Sequence, residues 1–334
     1  MTGTQVNPTG GSPAAGATSG PVLAVDLGGT KITVGAVHPD GTVSGRRTIP
    51  TGALRGPEAI LAALVSLLGC LYAEVPQASL VGIGSAGVVD PGDGSILSAT
   101  DAIPSWTGTP LASHVADRLG FPAYALNDVH AHALGEARHG AGEGLASMLL
   151  VAVGTGVGGG FVQDGKVLVG HRAVAGHLGH IPVPEAAGLP CTCGRTGHLE
   201  ALASGPATLA AYLRAGGQLT DTRDTREVVR RAEAGEQLAL NVLTTSARAV
   251  GRSVGALLNV LDPEIVVLCG GMAGAGELWW QAVREGVTLE AMDRVADTAV
   301  VPATAGADAA LLGAAGFARD RTRTAHTRTD RSHS

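Results

Sequence analysis

The sequence predicts an α/β protein of two domains with a cleft between them. Two observations carry this reading. The same order of elements, a meander of short strands followed by alternating helices and strands, occurs twice along the chain, and a glycine-rich loop occupies the matching place in each half, at Asp26 and at Gly154. The length agrees, because 334 residues, 45% apolar and 16% charged, exceed what one hydrophobic core usually serves.

In the first half, strands are expected at 22–27 and 31–37, joined by a tight glycine turn, with a third near 42–49 after the turn Pro39-Asp40-Gly41. A helix follows over 57–73, with Pro57 at its first position and Ile60, Leu61, Leu64, Leu67, Leu68 and Leu71 at helical spacing. A strand at 80–85, a helix at 109–119, a strand at 122–126 and a helix from 128 complete the unit. The second half opens with a strand at 147–153, a glycine-rich turn and strands near 159–164 and 166–169. Helices then lead to a strand at 264–269, a helix at 277–289, a strand at 298–301 and a helix at 308–317. The Gly/Ser/Pro-rich residues 1–20 and the basic residues 318–334, which contain no aliphatic side chain larger than Ala, read as disordered tails.

Composition excludes several classes. Aromatic residues are only 3%, so Ala, Val, Leu and Ile must build the core, and the 50 glycines lack the triplet period of collagen. A net charge of −6 gives no general attraction to nucleic acid or to anionic membranes. No stretch of 18 consecutive apolar residues and no signal peptide is visible, so a cytoplasmic location is expected. Of the four cysteines, Cys70 and Cys269 stand alone in apolar stretches, whereas Cys191 and Cys193 form a close pair that asks for chemistry.

The first loop reads Asp26-Leu27-Gly28-Gly29-Thr30-Lys31. Its glycines let the backbone approach a ligand and offer N–H groups to phosphate oxygens, Thr30 adds a hydroxyl, and Asp26 at a strand end suits a hydrated Mg²⁺. The second loop, Gly154-Thr155-Gly156-Val157-Gly158-Gly159-Gly160, contains a formal G-x-G-x-x-G. A strand and a turn follow it where a dinucleotide fingerprint needs a helix, so it reads as a second phosphate clamp in a hairpin. Between them, Asn127-Asp128 stands where a strand runs into a helix. Asp128 reads either as an N-cap or as a base for an alcohol between two phosphate clamps.

Together with Ala175-Gly176-His177-Leu178-Gly179-His180 and Cys191-Thr192-Cys193-Gly194-Arg195-Thr196-Gly197-His198-Leu199-Glu200, these motifs resemble the ROK family of sugar kinases and repressors over residues 21–317. The resemblance implies two ribonuclease H-like domains of the actin/hexokinase superfamily, 21–127 plus about 305–317 and 128–304. It also implies ATP-dependent phosphorylation of a hexose at its 6-hydroxyl. Asp26, Gly28, Gly29, Thr30 and Lys31 would lie near Mg-ATP, Gly154, Thr155 and Gly156 would hold phosphates, and Gly270 and Gly271 would approach the nucleotide. Asn127, His180 and Glu200 would bind sugar hydroxyls, with Asp128 as the base. A homodimer or homotetramer is implied as well. The family's repressors carry a winged helix ahead of the first loop; here 25 residues precede Asp26, too few for that unit, so no nucleic-acid partner is expected.

His180, Cys191, Cys193 and His198 supply two imidazoles and two thiolates, enough for a structural Zn²⁺. The family usually has a third Cys where this chain has His198. A second departure concerns the sugar. Family glucokinases usually carry Glu in the segment Gly-Glu-x-Gly-His, and here His177 replaces it. The Asn common four residues before Trp106 in glucose-specific members is replaced by Ala102. An imidazole can donate to a carbonyl oxygen where a carboxylate only accepts, so the expected substrate is an N-acetylhexosamine, N-acetylmannosamine ahead of glucose or N-acetylglucosamine.

Overall fold

The computed structural model describes residues 20–100, 102–219 and 224–331. Nearly all of the expected N-terminal tail lies outside them. In chain order, β1 (Val22–Leu27), β2 (Lys31–Val37) and β3 (Val43–Pro50) are followed by α1 (Pro57–Glu74), β4 (Val81–Ser85), the short β5 (Val88–Val89) and β6 (Ile96–Ser98), α2 (Leu111–Leu119), β7 (Ala123–Asn127) and α3 (Asp128–His139). The second half runs β8 (Ser147–Val153), β9 (Val157–Gln163), β10 (Lys166–Val167), α4 (Glu200–Ala203), α5 (Gly205–Arg214), α6 (Thr225–Glu233), α7 (Gln237–Leu261), β11 (Ile265–Cys269), α8 (Glu277–Glu290), β12 (Ala299–Pro302) and α9 (Ala309–Arg331).

The duplication expected from the sequence is visible in the sheets. The first has the order β3-β2-β1-β4-β7 and the second β10-β9-β8-β11-β12, each an antiparallel meander extended by two parallel strands. The strands β1, β4, β8 and β11 are buried on both faces, which is why they read as continuous apolar runs. Helix α1 is long and apolar enough to cross a membrane, with a mean hydropathy of 1.5. Its Ile60, Leu61, Leu64, Leu68 and Leu71 instead join β1, β2 and β4 in the core of the first half.

The helices that end the two halves cross over. α3 follows the first sheet, yet its Ala131, Ala133 and Leu134 pack with Met148, Leu150 and Val162 of the second. α9 follows the second sheet, and its Leu311, Leu312 and Ala315 pack with Val22, Ala24 and Val37 of the first. The two helices meet backbone to backbone, since a Cβ added at Gly135 would fall on the Ala309 carbonyl and one at Gly313 on that of Ala131. Part of the high glycine content therefore serves a helix crossing as well as turns and loops. The fully buried Glu136 locks this crossing by accepting from the backbone N–H groups of Ala141 at 3.1 Å, Thr304 at 3.0 Å and Ala305 at 2.9 Å.

One expectation is corrected. Residues 318–334 were to be a disordered basic tail, but α9 continues to Arg331. Ala318 and Thr322 are buried, Arg319 donates to the Val37 carbonyl at 2.9 Å, and Arg138 pairs with Asp320 at 2.6 Å. Small side chains sufficed because the guanidiniums of Arg319 and Arg138 add polar ties to the packing of Ala318 against the first sheet.

Candidate active site

The two glycine loops are turns of matching hairpins, β1–β2 and β8–β9, and both face one cleft of about 410 Å³. Gly28, Gly29 and Thr30 line it from the first half, and Gly154, Thr155, Gly156 and Gly270 from the second. The first turn is closed by Gly28 N–H donating to the Lys31 carbonyl at 3.0 Å, and the buried Thr51 hydroxyl holds the Gly28 carbonyl at 2.7 Å. The antiparallel pairing of β8 with β9 bears out the exclusion of a dinucleotide fold.

Asn127 and Asp128 lie in the same cleft. Asn127, not Asp128, is the N-cap: its Oδ1 accepts from Val129 N–H at 2.9 Å and His130 N–H at 3.1 Å. Its amide nitrogen donates to the Gly87 carbonyl and to Asp128 Oδ1, both at 2.9 Å. Asp128 therefore occupies the first helical position, with Oδ1 also taking Val129 N–H at 2.9 Å. No hydrogen bond from the described residues engages its Oδ2. Burial pushes the Asp128 carboxyl up to about 6, with the nearby Asp26 carboxylate adding to the rise. Asp26, itself raised by burial, is held down in part by the charges of His132, Lys31 and Arg46. Neither Asp26 nor Lys31 lines the cleft: Asp26 is half-buried in β1, near enough for its charge to act on Asp128, and Lys31 is exposed at the start of β2.

His177, His180 and Glu200 line the cleft as well. Glu200 accepts from Val157 N–H at 2.9 Å through one oxygen and from the Thr192 hydroxyl through the other. Its carboxylate thus bridges the second glycine loop and the Cys191–Cys193 turn. In that turn the ligand atoms of His180, Cys191, Cys193 and His198 all lie within 4.8 Å of one another. Cys191 Sγ is 3.5 Å from His180 Nδ1 and Cys193 Sγ 3.3 Å from His198 Nδ1. A tetrahedral zinc with bonds of about 2.3 Å to sulfur and about 2.0 Å to nitrogen has S···N edges of about 3.5 Å, so the donor set fits the metal.

Two lining residues, Gly87 and Thr100, carried no sequence signal. They flank the unforeseen β5–β6 hairpin, and Ala102, which the sequence did single out, sits beside Gly29 of the first loop. Beyond Gly154 and Thr155 the cleft opens into a second pocket of about 980 Å³, reached by Gly271 and walled by Leu209, Val229, Met272, Arg226 and Arg230. A signal existed for its α5 wall: Ser204-Gly205-Pro206 is a helix start, with Ser204 capping and Pro206 in the first turn.

A profile of the ROK family matches residues 22–321. The glucokinase of Thermotoga maritima is 33% identical over 313 residues, covering 90% of this chain and 98% of that protein. The N-acetylmannosamine kinase of Escherichia fergusonii is 35% identical over 294 residues, covering 88% and 96%. The chain belongs to the ROK family. A solved ROK glucokinase from Streptomyces griseus, in complex with glucose and AMPPNP, superposes with a TM-score of 0.74 at 30% identity, covering 90% of this chain and 100% of that one. The ROK fold is that of the actin/hexokinase superfamily, with two related sheets facing a central cleft.

Proposed function

We propose that this ROK protein is a hexose kinase that transfers the γ-phosphoryl group of Mg-ATP to the 6-hydroxyl of N-acetylmannosamine. That it is an ATP-dependent sugar kinase follows from the family match and from kinase relatives aligned over nearly their whole length. The observation that carries the mechanism is Asp128: one carboxylate oxygen is fixed by two groups of its own turn, and the other takes no hydrogen bond from the described residues in the cleft between two glycine loops.

In this reading the adenosine occupies the larger pocket and the triphosphate runs along Gly154–Gly156 toward Gly28–Thr30, with Asp26 behind the metal-phosphate end. The sugar lies against Asn127, His177, His180 and Glu200. As the 6-oxygen bonds to the γ-phosphorus, the bond to the bridging oxygen of ADP breaks and leaves its electrons there, and the hydroxyl proton passes to Asp128 Oδ2. A carboxyl near 6 is largely deprotonated at neutral pH and still basic enough to take that proton. The two halves divide at 127/128 and near 304/305, and their closure would exclude water from the phosphoryl group.

We assign the Cys/His cluster to a structural Zn²⁺ held by His180, Cys191, Cys193 and His198. Bound there, the ion supplies rigidity to the turn. Thr192, between the two cysteines, then holds Glu200 in place, and ligation through Nδ1 leaves the other ring nitrogen of His180 for the sugar.

Support for the acetamido sugar comes from His177, on grounds that differ from the sequence argument. Its Nδ1 lies 3.0 Å from the Val174 carbonyl, which can only accept, so Nδ1 donates there and Nε2 is the one ring atom left that can accept from a ligand. One acceptor matches the single N–H of a 2-acetamido group. The two oxygens of the family's usual Glu match a pair of neighbouring hydroxyls. A panel of glucose, mannose, N-acetylglucosamine, N-acetylmannosamine and allose with ATP tests the assignment. N-acetylmannosamine is expected to give the highest kcat/KM, and a glucose maximum would return the protein to the glucokinases.

A further inference from the structure

We propose that His130 is a positioning residue that couples the catalytic helix to the sugar-selecting loop. The inference rests on the reading that His177 faces the sugar. His130 is the third residue of α3, two beyond Asp128, and only 2% of it is exposed. Its Nε2 lies 2.8 Å from the Ala175 carbonyl. A carbonyl only accepts, so Nε2 carries the proton, and burial holds the ring in its neutral form.

The bond falls on a segment with little freedom on its other side. Gly176 has φ +86°, and a Cβ there would strike the Gly159 carbonyl; its own carbonyl accepts from Gly159 N–H at 2.7 Å. The turn Ala175–Gly176 is thus clamped between β9 and the His130 ring. His177 comes next, its ring fixed by Val174 on the near side of the same turn. The backbone N–H of His130 is capped by Asn127 Oδ1. One residue therefore joins, through its amide, the cap that sets Asp128 and, through its ring, the turn that sets His177. Without the ring donor the Ala175 carbonyl loses its partner, and the turn is free to move relative to the base.

His130→Leu removes the donor and His130→Gln restores one near the Nε2 position. Hexose and ATP KM, kcat and melting temperature are measured for both, beside His177→Ala. The expected result for His130→Leu is a rise of about tenfold in hexose KM, with ATP KM within about twofold and with loss of discrimination between N-acetylmannosamine and glucose, the scale of one buried polar contact. His130→Gln is expected to recover most of the hexose KM. If the Leu variant does not fold, His130→Asn, whose shorter amide cannot reach Ala175, takes its place. An unchanged hexose KM in the donor-less variant while His177→Ala raises it overturns the role of His130, as does a Gln variant no better than Leu. Silence of both His177→Ala and His130→Leu overturns the reading of the loop itself.

Discussion

Asp128 shows how one residue's surroundings set both its chemistry and its cost to the fold. Its carboxyl is raised to about 6, so the base form, and with it kcat/KM, should rise about tenfold per pH unit below 6 and level off near pH 7. A flat profile between pH 5 and 7 would remove it as the titrating base. The same shift has a consequence for stability. The folded state binds this proton more tightly than the unfolded chain, so its contribution falls as pH rises from about 4 to about 6 and stays low above that range. Asp128→Asn is therefore expected to melt above the wild type at pH 8, with the gap closing toward pH 4. His177→Glu, which exchanges one acceptor for two, should raise kcat/KM for glucose relative to N-acetylmannosamine by about 1–3 kcal/mol, read from competing-substrate kinetics. Unchanged selectivity would show that this position does not read the 2-substituent. At this scale the sequence revealed the residue types and their motifs but not their bonds. Nothing in Asn127-Asp128 says which side chain caps the helix, and only the Val174 carbonyl tells which nitrogen of His177 is protonated.

The element that most needs an experiment is the turn carrying Cys191 and Cys193. Glu200 stands at the start of the four-residue α4, too short to hold itself, and it depends on Thr192 and Val157 for its position. Removing zinc by chelation, or replacing His198 with Ala, should release Thr192 and raise hexose KM by about tenfold while leaving ATP binding nearly intact. Metal analysis showing well under one zinc per chain, with full activity, would contradict the site. Both hairpin loops, the longer strands and helices α1, α2, α3 and α8 were legible, because their apolar periodicity and glycine turns are local signals, whereas α5 to α7 were expected only as helices without bounds and α9 only as far as residue 317. The β5–β6 hairpin was not: its strands of two and three residues are too short for a period, and they form through pairing in the cleft wall. The α6 wall of the larger pocket was missed for another reason. Its lining residues Arg226, Val229 and Arg230 belong to an amphipathic helix whose pattern reports burial on one face and is silent about a ligand on the other.

Across the whole molecule the duplicated sheets are joined by two crossing helices, and the cleft exists because α3 and α9 each pack on the other half's sheet. The far end of α9 belongs to this frame. A chain ending at Phe317 loses the buried Ala318 and Thr322 and the bond from Arg319 to Val37, and is expected to be destabilised by about 1–3 kcal/mol in denaturant titration. An unaltered midpoint would mean that this helix end contributes nothing to the first half. The central claim is that the two loops and Asp128 form a phosphoryl-transfer site for a hexose. It is tested most directly by hexose-dependent release of ADP from ATP, compared between the wild type and Asp128→Asn, with binding of both ligands followed by calorimetry. The wild type should release ADP only when an acceptor hexose is present, and the Asn variant should bind sugar and nucleotide yet turn over at least about 10²-fold more slowly. ADP release that ignores the hexose, or near-normal turnover in the Asn variant, would contradict it.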